Sequence, residues 1–278
     1  MRQLLKKIDN AIGAHYPKGE VSALARIIAI ELLGFSQTTY YLKEPVTLSP
    51  THEEQLTDAL ERLRRDEPIQ YILGYSDFCG LRFSVAPGVL IPRPETSELV
   101  EWVANDERNA ANILDIGTGS GCIAVSLAHK LPNAKVTAWD ISPQALAIAQ
   151  NNSTANGCNV LFEQHDILAH TPTAAQYDVI VSNPPYIKEV EKEAMENNVL
   201  AWEPHIALFV PDNDALLFYR AIANKALTML HPGGHLYFEI NRAHGADTVN
   251  MLEAMGYTNV TLRKDFADND RMIKAQKQ

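Results

Sequence analysis

Residues 112–121 read NILDIGTGSG, and the fold class can be argued from this segment. Its apolar first half predicts a buried strand. Gly117, Gly119 and Gly121 follow at alternate positions, and CIAVSLAHK (122–130) then predicts a helix. A strand, a Gly-rich turn and a helix in this order are typical of one unit of a parallel sheet. The glycines let a ligand approach the backbone where the helix begins.

The same alternation continues beyond this unit. Further strands are predicted at KVTAWD (135–140), NVLFEQHD (159–166), YDVIVS (177–182), HLYFEIN (235–241), YTNVTLRK (257–264) and RMIKAQ (271–276). Helices are predicted from Pro143 to about Asn156, over 188–197, over about 214–230 and near 245–254, and HPGGH (231–235) is predicted to be a turn. With the first strand, these elements predict an α/β fold with a mostly parallel sheet of seven strands. Ligands of such sheets bind at the carboxyl ends of the strands.

The first 74 residues have a different pattern and predict a small all-α domain. VSALARIIAIELLG (21–34) has helical spacing and ends at a glycine, and a second helix is predicted to begin with Ser49 as N-cap. Residues 75–92 contain short β-prone pieces around glycines and predict a hairpin linker. The predicted domains are therefore 1–74, the linker 75–92 and 93–278.

Composition and charge exclude several classes of protein. The chain has 278 residues, 46% of them hydrophobic, which is an ordinary globular composition. No apolar run approaches the roughly 18 residues of a membrane span, and the three cysteines are scattered, so we expect a cytoplasmic protein without a metal site or membrane partner. Residues 91–278 carry 14 Lys and Arg against 23 Asp and Glu, a net charge of −9, which argues against nucleic acid as the main partner.

The glycine loop distinguishes between cofactors. A dinucleotide fingerprint requires G-x-G-x-x-G/A, but its third position is Cys122 here and the glycine comes one residue earlier. The spacing D-x-G-x-G-x-G from Asp115 to Gly121 instead resembles the first motif of class I methyltransferases, which bind S-adenosylmethionine.

Three acids follow the first three strands of the predicted sheet. Asp140 is suited to hydrogen-bond the ribose hydroxyls of a cofactor, or to cap the helix that begins after Ser142. Asp166 is predicted to lie near the adenine amino group, or to be an ordinary turn residue. Asp115 is predicted to approach the cofactor's methionine ammonium, or to fix the glycine loop.

The segment Asn183-Pro184-Pro185-Tyr186 directly follows the strand DVIVS. Two prolines fix the backbone and remove its amide donors. The Asn183 side-chain oxygen and the Pro184 carbonyl are then two acceptors that match the two donors of a planar NH2 group, while Tyr186 offers a flat face for stacking. This arrangement suits methylation of an amide or an exocyclic amine, whose nitrogen becomes positively charged during attack.

Over nearly the whole chain these motifs resemble the HemK/PrmC family of peptide chain release factor N5-glutamine methyltransferases. The matching pieces are PIQYILG (68–74), IPRPET (91–96), DIGTGSG (115–121), Asp140, NPPY (183–186) and Glu203-Pro204. The chain departs from the family pattern at Ser97, Ile167, Val210 and Asn241.

The resemblance implies a Rossmann-like class I methyltransferase fold that uses S-adenosylmethionine to methylate the glutamine of the GGQ motif in class I release factors. The implied catalytic residues are Asn183, Pro184, Pro185 and Tyr186. The same four residues and Arg93 are the predicted substrate-binding set, although a bridge between the two domains is the favoured role of Arg93. The predicted cofactor-binding residues are Asp115, Gly117, Thr118, Gly119, Ser120, Gly121, Asp140, Asp166, Ile167 and Asn183. The domain 1–74 is predicted to recognise the release factor away from its glutamine, because all recognisable catalytic motifs lie after residue 110. We expect a monomer.

Two other functions remain open at this point. An N6-adenine methyltransferase acting on DNA or RNA would also use NPPY, although the acidic second half and the absence of a long basic insert argue against it. A cofactor-binding scaffold without activity is the second alternative, against which the intact NPPY and glycine motifs argue.

Overall fold

The computed structural model describes residues 1–172 and 174–278, which divide into two compact units. The first unit comprises Met1–Gly74 and Glu196–Trp202, and the second comprises Tyr75–Met195 and Glu203–Gln278. The helices are α1 (Arg2–Ile12), α2 (Lys18–Ile27), α3 (Gln37–Tyr41), α4 (Pro50–Leu63), α5 (Ile69–Leu73), α6 (Pro94–Asp106), α7 (Cys122–Lys130), α8 (Pro143–Ala155), α9 (Asn197–Trp202), α10 (Leu217–Met229) and α11 (Gly245–Ala254). The strands are β1 (Tyr75–Phe78), β2 (Leu81–Ser84), β3 (Asn112–Ile116), β4 (Lys135–Asp140), β5 (Val160–Gln164), β6 (Tyr177–Ser182), β7 (Ile187–Lys188), β8 (Phe209–Val210), β9 (Leu230–Glu239), β10 (Thr258–Lys264) and β11 (Asp270–Gln276).

The first unit is helical and has its own core. Ile8 of α1, Ile28 after α2 and Leu56 of α4 are fully buried in one apolar cluster. The Ser49 hydroxyl accepts a hydrogen bond from the His52 backbone N–H (3.2 Å), so the predicted cap of α4 is present. The helix predicted over 21–34 is α2 followed by a π-helical turn over Ile28–Leu32.

The second unit contains the predicted seven-stranded sheet, in the order β10-β11-β9-β6-β3-β4-β5. Neighbouring strands from β9 to β5 are parallel, and β11 is antiparallel to both of its neighbours, so the sheet is mostly parallel as predicted. Successive residues of β3 alternate between two buried clusters on the faces of the sheet: Ile113 packs with α6 and α7, and Leu114 packs with α10. Helices therefore cover both faces of the central strands.

Three local predictions need comment. The segment HPGGH (231–235), predicted as a turn, lies within β9, where the register against β6 shifts between Tyr177 and Val179. Pro232 and Gly233 fit such an irregular stretch of strand because it forms few regular ladder bonds. The helix predicted over 188–197 is a 3-10 helix, Glu189–Ala194. The predicted hairpin is present as antiparallel β1 and β2, inside the second unit.

Strand register brings the ends of three strands to one edge. Ile116 of β3 is paired with Trp139 of β4 and with Ser182 of β6. Gly117, Asp140 and Asn183 are the next residues of these chains, so their backbones lie side by side at the carboxyl edge of the sheet. Among the described residues, no helix has both the length and the apolar character that a bilayer crossing requires.

Candidate active site

A cavity of about 320 Å³ lies at the carboxyl edge of β3, β4 and β6. Eight of the predicted site residues line it: Gly117, Gly119, Asp140, Asp166, Ile167, Asn183, Pro184 and Pro185. Its other lining is mainly apolar and includes Ile116, Ile141, Leu168, Phe218 and Ile222. Six predicted residues lie outside its lining: Asp115, Thr118, Ser120, Gly121, Tyr186 and Arg93.

The three glycines of the loop have two different tasks. All three have positive φ, which side chains rarely adopt. A Cβ atom on Gly117 or Gly119 would meet no other atom within 4 Å, so these two glycines leave open space beside the cavity. A Cβ on Gly121 would lie 3.0 Å from the Ala149 Cβ, so the third glycine lets α7 approach α8.

Asp115 lies beneath this loop and is completely buried. Its Oδ2 accepts a hydrogen bond from the Thr118 hydroxyl (2.6 Å), so the loop-fixing role is observed. Burial raises the pKa of the carboxyl group to about 7, against the lowering effect of the Thr118 hydrogen bond. Its Oδ1 and the Ser120 hydroxyl have no hydrogen bond of good geometry among the described residues. The Ala124 backbone N–H is nevertheless close enough to lower the pKa of Asp115, and the Ser120 hydroxyl is close enough to lower that of the Cys122 thiol.

Asp140 joins the glycine loop to the helix that follows β4. Its Oδ2 accepts from the Gly119 backbone N–H (2.8 Å) and its Oδ1 from the Ser142 backbone N–H (2.9 Å). Asp140 thus fixes the backbone before α8, while the cap of that helix is Ser142, whose hydroxyl accepts from the Ala145 backbone N–H (3.2 Å). Each carboxylate oxygen retains a further lone pair, and the residue lines the cavity, so the geometry also permits a bond to a ligand hydroxyl. Burial raises the pKa of Asp140.

Asp166 follows β5 and is exposed. Its Oδ1 accepts from the Leu168 backbone N–H (2.8 Å), which is the turn role that the sequence left open. Asp166 and Ile167 nevertheless line the cavity together with Ile141. A carboxylate beside apolar side chains suits a flat ring that carries an amino group.

Asn183 is held by its side-chain nitrogen. Nδ2 donates to the Thr96 hydroxyl oxygen (3.3 Å), and the Thr96 hydroxyl donates to Oε2 of Glu239 (2.6 Å). The Asn183 side-chain oxygen is therefore the group left to accept. The Pro184 carbonyl accepts no hydrogen bond from the residues that the structure describes. Both oxygens belong to consecutive residues that line the cavity, so their pairing with one NH2 group stays a prediction.

Tyr186 packs against the core of the second unit, outside the lining of the cavity. Its ring packs against the apolar cluster that contains Tyr219 and Phe238, and it does not line the cavity. Its hydroxyl donates to Oε1 of Glu239 (3.3 Å), and its carbonyl accepts from Nδ2 of Asn241 (3.2 Å). Stacking on a substrate stays a prediction, while support of Glu239 is observed.

Arg93 forms an ion pair with Glu203 (2.5 Å), and both residues belong to the second unit. Glu203 is buried and also accepts from the Ile91 backbone N–H (3.2 Å). The ion pair thus holds the segment before α6 next to Pro204, a cavity-lining residue. Because this pair lies within one unit, the bridge between domains that the sequence favours for Arg93 stays a prediction.

Thr96 and Glu239 were missed as site residues by the sequence analysis. Thr96 appeared only inside the motif IPRPET, and Glu239 only as part of a strand. A signal for Glu239 was present, because an acid in the apolar strand HLYFEI must be buried with partners. Its partners could not be named from sequence, since Thr96 lies 143 positions earlier.

Comparisons with known proteins agree with this fold. Residues 3–74 match the family model PrmC N-terminal domain, and residues 95–202 match Methyltransferase small domain. The chain is 48% identical over 278 residues to a release factor glutamine methyltransferase of Bacteroides thetaiotaomicron, covering 100% of both chains. It is 45% identical over 269 residues to the protein of that name in Flavobacterium psychrophilum, covering 95% of this chain and 94% of the relative.

Among solved structures, a methyltransferase from Pyrococcus furiosus has a TM-score of 0.55 at 20% identity, covering 80% of this chain and 98% of that one. A 16S rRNA methyltransferase from T. thermophilus, in complex with AdoMet and guanosine, has a TM-score of 0.52 at 20% identity. This likeness covers 73% of this chain and 50% of that one. These two likenesses show the methyltransferase fold alone. Identity to the two relatives over essentially the full chain shows more: the chain belongs to the release factor glutamine methyltransferase family.

Proposed function

We propose that the protein transfers a methyl group from S-adenosylmethionine to the side-chain amide nitrogen, N5, of the glutamine in the GGQ motif of class I release factors. The observation that carries this proposal is the orientation of Asn183. Its NH2 group is held by Thr96, so its oxygen and the Pro184 carbonyl offer two acceptors to the NH2 group of a target amide. The relatives' names supply the class of target.

The residues around the cavity fit S-adenosylmethionine. Gly117 and Gly119 leave space where side chains would intrude. Asp140 offers carboxylate lone pairs for ribose hydroxyls, and the buried Asp115 Oδ1 offers an acceptor for the methionine ammonium. Ile141, Ile167 and Leu168 offer an apolar surface for adenine. When bound, this cofactor supplies a methyl group on a positively charged sulfur, which keeps the electron pair of the broken bond.

The chain's own residues act on the glutamine amide. The amide nitrogen is a poor nucleophile because its lone pair is delocalised into the carbonyl group. Asn183 and Pro184 would each accept one N–H bond, which orients the nitrogen and stabilises the positive charge that grows on it as the new N–C bond forms. One of these protons becomes acidic only after that bond has formed, and it then leaves to water, so no strong base is needed.

A methyl-transfer assay tests the proposal directly. The purified protein is incubated with methyl-labelled cofactor and one of three substrates: an intact class I release factor, the same factor with Ala in place of the GGQ glutamine, or duplex DNA. We expect label only on the first, located on that glutamine by mass spectrometry. Faster labelling of DNA than of release factor would favour the adenine alternative, and labelling of the Ala variant would contradict the assigned target.

Substrate choice and assembly state belong to the same proposal. We expect the protein to act as a monomer on protein substrates. We also expect it not to bind nucleic acid, since residues 91–278 carry a net charge of −9. Light scattering at assay concentrations measures the first property. Titration with duplex DNA at low salt measures the second, because low salt favours any electrostatic binding.

A further inference from the structure

We propose that Glu239 and Thr96 are positioning residues for methyl transfer. They fix the orientation of the Asn183 side-chain amide so that its oxygen, and not its NH2 group, meets the target. They also make this oxygen a stronger hydrogen-bond acceptor. This inference rests on the proposed function, and it assigns roles to two residues that lie behind Asn183 and outside the lining of the cavity.

The hydrogen bonds between these residues have one consistent direction. An ionised carboxylate only accepts, so the Thr96 hydroxyl proton lies in the 2.6 Å bond to Glu239 Oε2. The Thr96 oxygen is then free only to accept, and it accepts from Asn183 Nδ2 at 3.3 Å. A flipped Asn183 would set its oxygen against the lone pairs of Thr96. The carboxylate thus decides the orientation of the amide through one hydroxyl group.

Glu239 is buried, and both of its carboxylate oxygens accept hydrogen bonds. Only 2% of it is exposed, and its second oxygen accepts from the Tyr186 hydroxyl (3.3 Å). Burial raises the pKa of Glu239, and nearby Glu95 adds to this effect, while Thr96, Arg271 and Tyr186 favour the ionised form. Arg271 is itself held by Asp265 (3.0 Å). A buried carboxylate that is neither exposed nor directly ion-paired has its charge available to the hydrogen bonds that it accepts.

This charge lies two hydrogen bonds behind the acceptor that meets the target. Hydrogen bonds in a chain polarise one another, so donation from Asn183 Nδ2 toward Thr96 and Glu239 increases the negative charge on the Asn183 oxygen. That oxygen would accept an N–H bond of a nitrogen that becomes positive only during methyl transfer. The interaction therefore gains strength in the transition state, and its loss should lower kcat more than it raises KM.

The test compares Thr96→Val, Thr96→Ser and Glu239→Gln with the wild-type chain. Valine keeps the shape of threonine without the hydroxyl, and serine restores the hydroxyl. We expect kcat on release factor to fall about 10- to 100-fold in Thr96→Val and to return to within about threefold in Thr96→Ser. Cofactor affinity, measured by calorimetry, should change less than about threefold in both variants.

Two further measurements separate positioning from general structural support. In the NMR spectrum of the cofactor-free protein, the signals of the Asn183 side-chain NH2 group are identified by their loss in Asn183→Ala. These signals should shift in Thr96→Val and stay in place in Thr96→Ser. In the wild type, kcat should fall as the pH drops through the raised pKa of Glu239, because protonated Glu239 becomes a donor and competes with the Thr96 hydroxyl. Glu239→Gln should be slow at every pH and should lack this decline.

These experiments distinguish a failure of the proposed function from a failure of the positioning role of Thr96 and Glu239. A wild-type chain that labels no release factor refutes the function, while the NMR comparison still decides the orientation of Asn183. An active wild type with normal kcat in Thr96→Val overturns the inference. So does a Thr96→Val variant that loses cofactor affinity and activity together without rescue by Thr96→Ser, because the hydroxyl would then be structural only.

Discussion

Asn183 provides one of the two acceptors proposed for the target NH2 group, so its replacement by Ala removes a hydrogen bond and the alignment of the nitrogen. We expect kcat on release factor to fall about 30- to 1,000-fold, which corresponds to roughly 2–4 kcal/mol of transition-state stabilisation. Cofactor affinity should change far less, since the cavity has most of its lining outside Asn183. Single-turnover kinetics and calorimetry measure the two quantities separately.

Asn183→Asp is the matched variant. It keeps an acceptor but cannot donate to Thr96, and it puts a second carboxylate near Glu239. We expect activity above that of the Ala variant and below that of the wild type. Normal turnover in Asn183→Ala would rule out the proposed contact with the target.

Asp115 makes the stability of the cofactor-free protein depend on pH. Its pKa is raised to about 7 by burial, so between its ordinary pKa and pH 7 the folded chain binds a proton that the unfolded chain has lost. The free energy of unfolding must therefore fall as the pH rises through this window. From pH 5 to pH 7 we expect the wild type to lose about 2 kcal/mol relative to Asp115→Asn, measured by urea unfolding. Equal pH dependence in the two proteins would show that Asp115 is not the responsible group.

The glycines of the loop between β3 and α7 differ in what a side chain would contact at each position. Gly121→Ala would put a Cβ 3.0 Å from the Ala149 Cβ at a positive φ, so we expect a loss of stability of about 2–4 kcal/mol. Gly119→Ala has the backbone strain without the clash, and should cost about 1–2 kcal/mol while weakening cofactor binding severely. Thermal unfolding and calorimetry on both variants test this contrast. The same stability loss in both would contradict it.

Elements with local signals were predictable from the sequence. The strand before Gly117 and the cap at Ser49 depend on residues that are neighbours in the chain, and both are present. The segment 231–235 was misread as a turn because Pro and Gly also mark irregular strands, and only pairing with β6 shows which applies.

Contacts between distant elements were not predictable from single motifs. Asn183 and Thr96 are 87 positions apart, and Arg93 and Glu203 are 110 apart. Each motif could be recognised by itself, but the partner depends on which helix packs against which strand end. The proposed contact with a target could therefore be named from NPPY, whereas the hydrogen bonds from Thr96 and Glu239 behind it required the sheet topology.

Over the whole chain, chemistry and recognition are expected to belong to different parts. Every residue proposed for cofactor binding or catalysis lies in the second unit, and Met1–Gly74 forms a separate core. A chain that begins at Tyr75 should therefore bind cofactor within about threefold of the full chain. Its kcat/KM on intact release factor should fall at least about tenfold, because the first unit is proposed to recognise that protein away from the glutamine.

Helix α9 requires a control for this truncation. It belongs to the first unit, where the Trp202 indole N–H donates to the Arg65 carbonyl (3.0 Å), and Glu203 of the active site follows it directly. Removing residues 1–74 thus frees a segment next to the ion pair with Arg93. Full-length Trp202→Phe loses only this indole bond, so its activity measures how far α9 affects the site. If recognition is the cause, the truncated chain should lose activity on intact release factor but keep the wild-type rate on a short peptide with the target glutamine, and Trp202→Phe should be active on both. Full activity of the truncated chain on the intact protein would refute the recognition role of the first unit.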